Sequence, residues 1–225
     1  MKDAVIVALG RSAIGKAPKG VFRLSRPEDI GAQVLSGVLK QVPQLDARHI
    51  DDVIVGCAFP EAEQGMNLAK IVISKAIPGV DIPGQTVNRF CSSGLQTIAT
   101  AANAIMAGQA EGIIAGGIEL MSTIPMGGNI VAPNPDLIQS QPDAYTAMGI
   151  TAENVAEQYG VTRRMQDEFS MESHRRANAA RTEGKFAQEI IPVEAVTTYV
   201  DETGHTRMGL RTVAEDEGIR PPVSY

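Results

Sequence analysis

GQTVNRFCSSGLQTIATAANAIMAG, Gly84–Gly108, decides the fold of this chain. Gly84–Val87 is a short strand-forming run. Cys91 then opens a helix whose apolar residues Leu95, Ile98, Ala102, Ile105 and Met106 recur at helical spacing, until Gly108 closes it. A strand feeding directly into an amphipathic helix is the repeating unit of an α/β layer protein, and the flanking sequence repeats it. Upstream, Ala4–Leu9 reads as a buried strand bounded by Gly10. A helix follows from Pro27, with Glu28 and Asp29 in its first turn, the apolar face Ile30, Val34, Leu35, Val38 and Leu39, and an end before Pro43. Asp52–Cys57 is a second strand, and a helix from Asn67 to Ala76 is ended by Pro78-Gly79. Downstream, Gly112–Gly117 is a further strand.

Beyond Met121 the pattern changes. Pro125, Gly127, Gly128, Pro133, Pro135 and Pro142 break up the chain as far as Gly149, a stretch too long for an ordinary connection. Thr151 is expected to cap a helix ending near Gly160. Thr162 caps a longer one running to Gly184, with Met165, Phe169, the Arg176 stem, Ala177 and Ala180 turned inward. Glu189–Val200 and Thr206–Val213, joined through Asp201–Gly204, form a hairpin. Two segments are therefore expected, 1–120 and 121–225. The closing DEGIRPPVSY returns to no sheet, which leads to the expectation that the chain is a piece of a longer product.

Composition narrows the function classes. With 225 residues, 44% of them hydrophobic and 20% charged, the chain can bury a sizeable core. A net charge of −6 argues against nucleic acid as a partner. No apolar run reaches the roughly 18 residues of a membrane span, and the N-terminal apolar run is too short for a signal peptide. Two cysteines cannot build a disulfide framework, so a reducing cytoplasm is the expected location.

Cys91 carries the most chemistry. A thiol at a helix N-terminus faces unpaired N–H groups and the positive end of the helix dipole, which favour thiolate, and the same N–H groups can hold an oxyanion. Ser92, Ser93 and Gly94 are small enough to admit a substrate. Position alone leaves two readings open, a nucleophile or a small buried hydrophobe. Cys57, between Gly56 and Ala58 with no helix start after it, reads as structural. Gly116-Gly117 fits either close approach of a substrate or tight packing. His49, His174 and His205 all lie in polar contexts and read as solvated or structural. The basic residues between Arg163 and Lys185 alternate with acids, Glu172 and Arg176 at i,i+4 among them, as on a solvated helix face.

TVNRFCSSGLQT around Cys91 resembles the nucleophile motif of the thiolases. Four further segments agree in order: RSAIGKAPKGVF with the R-T-P-x-G-K-x-x-G stretch, GGIELMSTIPM with G-G-x-E-x-M-S, AMGITAENVAEQYGVTRRMQDEFSMESHRRANAA with the M-G-x-T-A-E-N-V-A region, and GKFAQEIIPV after it. The resemblance implies the N-terminal half of a layered α/β thiolase fold, a mixed sheet flanked by helices with an α+β loop (lid) domain, the C-terminal half being absent. It implies Cys91 as the nucleophile in thiolytic cleavage of a 3-ketoacyl-CoA, in the degradative direction of fatty acid β-oxidation. Met148 is placed by it at the acyl-pantetheine pocket and Arg220 at the CoA nucleotide. Coenzyme A is then a substrate, with no metal or redox cofactor, and a homo-oligomer, dimer or tetramer, is expected. Family members also carry a G-H-P histidine and a C-x-G cysteine in their second half. Neither motif occurs in these 225 residues, so the chain alone is expected not to turn over. An acetoacetyl-CoA thiolase and a silent homologue that binds acyl-CoA or oligomerises are the competing implications.

Overall fold

Val53, Ile54 and Val55 are β-branched and almost wholly buried, and they form the middle of strand β1 (Asp52–Gly56). A computed structural model describes residues 2–221 and places β1 at the centre of a three-stranded parallel sheet. Its neighbours are β2 (Gly84–Val87), with Val53 opposite Gly84, and β3 (Ile113–Gly117), with Val53 opposite Ile114. Parallel neighbours need crossover helices, and these cover both faces. On one face lie α1 (Pro27–Leu39) and α2 (Leu68–Ala76), where Leu35, Leu68, Val72 and Ile73 pack with Val53, Val55 and Ile82. Pro27 starts α1 at a position needing no N–H, and the Asn67 side chain accepts the Lys70 N–H to cap α2.

On the other face lies α3 (Ser93–Met106), the helix opened by the cysteine turn. The apolar face read from its spacing is not the one that meets the sheet. Ser93, Thr97 and Ala101 are buried, whereas Leu95, Ile98 and Met106 are exposed. The cause lies in the sheet: a Cβ on Gly56 would meet the Ser93 carbonyl carbon at 2.5 Å, and one on Gly117 would meet the Gly94 Cα at 3.3 Å. Backbone lies so close to backbone there that only small side chains fit between, which leaves the large apolar residues on the opposite side. The buried Thr97 hydroxyl lies 2.7 Å from the Gly94 carbonyl oxygen and 3.0 Å from that of Gly116, tying helix to strand.

Ala4–Leu9 is a second correction. It forms no strand, and Val5, Ile6 and Val7 are each more than 70% exposed. A strand exists only by pairing, and this segment's ladder is confined to one bridge past its end: the Arg11 N–H donates to Glu189 O at 2.8 Å and the Ile191 N–H to Arg11 O at 2.8 Å. Residues 11–21 are held instead by the chain after the hairpin. The Arg11 guanidinium grips Asp216 through both terminal nitrogens, at 2.7 and 2.9 Å, and reaches Glu189 at 2.8 Å; Glu217 Oε2 accepts the N–H groups of Lys16 and Val21.

The chain divides into two compact units, Met1–Asn129 with Gln188–Gly218, and Ile130–Ala187 with Ile219–Tyr225. The hairpin, β4 (Val193–Val200) and β5 (Thr206–Val213), thus belongs with the sheet rather than with the segment before it, and differs in this from a division at residue 120. Val193, Ala195 and Val213 pack with Ala13, Phe22 and Leu120. The α/β class expected is present, with the parallel and antiparallel strands divided between a three-stranded sheet and a separate hairpin.

The second unit contains α4 (Pro135–Ser140), α5 (Met148–Tyr159) and α6 (Arg163–Thr182). The irregular stretch therefore includes a short helix, begun by Pro135 and capped by the Asn134 side chain. Thr151 is not a cap: α5 begins at Met148, and the Thr151 hydroxyl bonds back to Ala147 O at 3.3 Å. Gly160 ends α5 in the left-handed conformation, φ 64°, and Thr162 caps α6 by accepting the Met165 N–H. The inward face expected of α6 is not realised. None of its residues is buried, and Phe169 is 77% exposed, because its apolar stripe is narrow and charged pairs occupy most of the surface. Among the described residues no helix is long and apolar enough to cross a membrane. Of the unusual C-terminal segment, residues 222–225 lie outside the described residues.

Candidate active site

Between β2 and α3 the chain turns sharply through Asn88, Arg89, Phe90 and Cys91. The turn is anchored to β1, whose continuation at Cys57 donates its N–H to Val87 O at 3.0 Å. The Asn88 amide donates to Ala58 O at 2.9 Å, and its carbonyl accepts the Phe90 N–H at 2.8 Å. Phe90 is left-handed, φ 45°, a conformation that costs a non-glycine residue on the order of 1 kcal/mol or more and persists where surroundings over-determine it. Ser93, 5% exposed, supplies part of that determination: its hydroxyl accepts the Arg89 N–H at 2.9 Å and donates to Phe90 O at 2.6 Å.

Cys91 emerges from this turn exposed to solvent, just before the Ser92 cap position. Ser92 makes no side-chain cap, its hydroxyl donating backwards to Arg89 O at 3.0 Å. The sulfur thus lies open to a reactant at the head of a fourteen-residue helix, while the N–H groups of Arg89, Phe90, Ser92 and Ser93 are taken up inside the turn. Arg89 contributes its backbone to the turn, and its side chain is exposed. Cys57 is the opposite case. It is 1% exposed, and burial, with the Glu119 carboxylate adding to it, pushes its thiol up to about 11. It is structural.

Met148, the exposed first residue of α5, and Arg220, exposed with its N–H donating to His174 Nδ1 at 3.3 Å, both lie in the second unit, whereas Cys91 lies in the first. His205 Nδ1 sits 2.8 Å from the Thr203 hydroxyl in the hairpin turn, and His49 ends a single 3-10 turn before β1. The basic residues of α6 pair within the helix, Arg163 with Asp167, Arg164 with Glu168, and both Arg175 and Arg176 with Glu172. Among the described residues no cluster of three or more His, Cys, Asp or Glu could hold a metal ion. Three contributors to the turn were not singled out in the sequence: Asn88, Gly56 and Glu119. Asn88 carried a readable signal, since asparagine before a turn bonds backbone two residues on. Gly56 and Glu119 act through contacts distant in sequence.

Residues 4–225 match the family model described as the thiolase N-terminal domain. The chain belongs to the thiolase family. It is 47% identical over 222 residues to a 3-ketoacyl-CoA thiolase of Bacillus subtilis (strain 168), covering 98% of this chain and 56% of that protein. It is 40% identical to the 3-ketoacyl-CoA thiolase of Idiomarina loihiensis, covering 98% and 55%, and 40% identical to that of Shewanella loihica, covering 100% and 56%. The thiolase chain thus spans about half the length of the curated relatives it matches, and corresponds to their N-terminal half.

Proposed function

We propose that this chain is the nucleophile-bearing half of a 3-ketoacyl-CoA thiolase, and that Cys91 is its acyl acceptor. The observation that carries the reading is the placement of Cys91, exposed beside a left-handed Phe90 at the head of α3. The names of the relatives support the substrate class. In the proposed reaction the Cys91 thiolate attacks the 3-keto carbon and gives a tetrahedral oxyanion. The C2–C3 bond then breaks, leaving the acyl group on sulfur and the enolate of acetyl-CoA, which takes up a proton. The thiolate of free CoA attacks the thioester and releases the shortened acyl-CoA, regenerating Cys91. CoA is a substrate on this reading, no metal or redox cofactor takes part, and Met148 and Arg220 are the proposed contacts to the pantetheine and nucleotide of CoA. The proton transfers are assigned to the second half that full-length relatives possess, so this chain by itself acquires the acyl group without sustained turnover.

Incubating the chain with acetoacetyl-CoA and CoA, then mapping adducts by mass spectrometry, tests both statements. An acetyl group on the Cys91 peptide is expected. Absence of any adduct overturns the nucleophile, and steady release of acetyl-CoA overturns the inactivity of the half. The exposed Leu95, Ile98 and Met106 face of α3 favours a second reading beside the first, in which the chain associates through that face, as a homo-oligomer or with the complementary half. Size-exclusion chromatography at increasing concentration distinguishes an associating chain from a monomer.

A further inference from the structure

Gln64 is wholly buried yet lies far in sequence from the turn it serves, and the proposed mechanism does not use it. Its side-chain amide lies 2.7 Å from Glu119 Oε1, 3.0 Å from Phe59 O and 3.4 Å from Cys57 Sγ, and its carbonyl accepts the Leu120 N–H. Every polar atom of this amide is therefore engaged, and the segments leaving β1 and β3 are joined through it. Glu119 adds a second link, with Oε2 accepting the Ala58 N–H at 2.7 Å.

The Ala58 carbonyl is the acceptor for Asn88, and Asn88 in turn holds the Phe90 N–H. Phe59 meets Phe90 with ring centroids 6.0 Å apart. Both backbone polar groups of Ala58 are thus spoken for, one by Glu119 and the other by the turn that presents Cys91. A continuous path of hydrogen bonds runs from the buried amide through Glu119, Ala58 and Asn88 to the residue preceding the nucleophile. We propose that Gln64 and Glu119 are positioning residues for Cys91, fixing the Cys57–Phe59 segment on which the left-handed turn rests. The inference rests on Cys91 being the acyl acceptor, because only then does its exact placement bear on activity.

Glu119→Gln replaces one of two acceptor oxygens by a donor, so that either the Gln64 amide or the Ala58 N–H loses its acceptor, and Gln64→Leu removes the clamp while keeping similar bulk. The test is the second-order rate of Cys91 alkylation by iodoacetamide in the folded chain, measured from pH 6 to 10 by peptide mass spectrometry beside thermal unfolding curves. Both substitutions are expected to slow alkylation by roughly threefold or more across that range, as the sulfur loses its fixed place on the turn. A purely structural role lowers the unfolding midpoint while leaving rate and pH profile of the folded chain unchanged, and that result overturns the proposal. Should Gln64→Leu fail to fold, Glu119→Gln, at an exposed residue, decides alone. Acylation of the parent chain by acetoacetyl-CoA is scored in parallel. Slowed alkylation in the variants with no acylation of the parent refutes the acyl-acceptor reading but not the positioning; acylation of the parent with unaltered alkylation in the variants refutes the positioning alone.

Discussion

Gly56→Ala probes the contact on which the cysteine turn is built. The added methyl carbon would stand 2.5 Å from the Ser93 carbonyl carbon, 2.7 Å from its oxygen and 2.8 Å from the Gly94 nitrogen. The first of these is roughly 1 Å short of ordinary carbon–carbon contact. All three obstacles are backbone, so no rotamer change relieves them, and the first turn of α3 must retreat from the sheet. Overpacking of this kind costs about 1–3 kcal/mol. The displacement also acts on chemistry, because Ser93 holds both Arg89 and Phe90 from beneath. Equilibrium denaturation in urea is expected to show a midpoint lowered by that energy, and iodoacetamide labelling of Cys91 is expected to slow. Gly116→Ala is the matched control: it adds the same methyl group in neighbouring β3, where no heavy atom lies within 4 Å, so stability is expected to stay within about 0.5 kcal/mol of the parent. A Gly56→Ala chain as stable and as reactive as the parent, or equal damage from Gly116→Ala, refutes the argument that backbone contact seats the turn.

Other consequences follow from separate contacts. Iodoacetamide at pH 8 is expected to modify Cys91 and leave Cys57 intact until the chain unfolds, since Cys57 is buried with its thiol pushed up to about 11; two adducts on the folded chain contradict this. Thr97→Val keeps the shape of a fully buried side chain but leaves the Gly116 carbonyl without its hydroxyl partner, an expected loss of about 1–3 kcal/mol in denaturation. Asp216, 9% exposed in its side chain, is held below its ordinary 3.8 chiefly by the Arg11 guanidinium. The folded state thus favours its ionised form, so its contribution is complete above that value and disappears as pH falls below it. Asp216→Asn is expected to cost about 1.5–3 kcal/mol at neutral pH and to flatten the acid limb of a stability–pH curve, whereas an unchanged acid limb contradicts the assignment.

The parallel sheet and its crossover helices were legible because local signals agreed. Continuous β-branched runs, Pro27 at a helix start, Asn67 at a cap and Pro78-Gly79 at an end each act within a few residues. Orientation of α3 was not legible, although its periodicity was clear. Hydrophobic spacing identifies the apolar face of a helix, but which face meets the sheet was decided by Gly56 and Gly117, residues on other elements. The same limit applies to Ala4–Leu9 and α6. Apolar content makes each a candidate for burial, and burial requires a partner surface that no local pattern specifies.

At the candidate site, the place of Cys91 at the head of α3 was legible, while its support was not. A helix N-terminus attracts a thiolate only if the sulfur is held beside it, and here the holding is done at a distance. Asn88 reaches Ala58, Ser93 bonds back across the turn, and Glu119 meets Ala58 from the end of β3. The two contacts to Ala58 join residues 30 and 61 apart in sequence, and a one-dimensional reading sees each residue only as a turn former or a charge. They also explain why a non-glycine residue can occupy the strained position before the nucleophile. The strain at Phe90 is tolerated because three independent hydrogen bonds and a ring contact fix the backbone on either side of it. A sulfur presented in this way needs little reorganisation when it attacks, so the rigidity of the turn is itself part of the proposed chemistry.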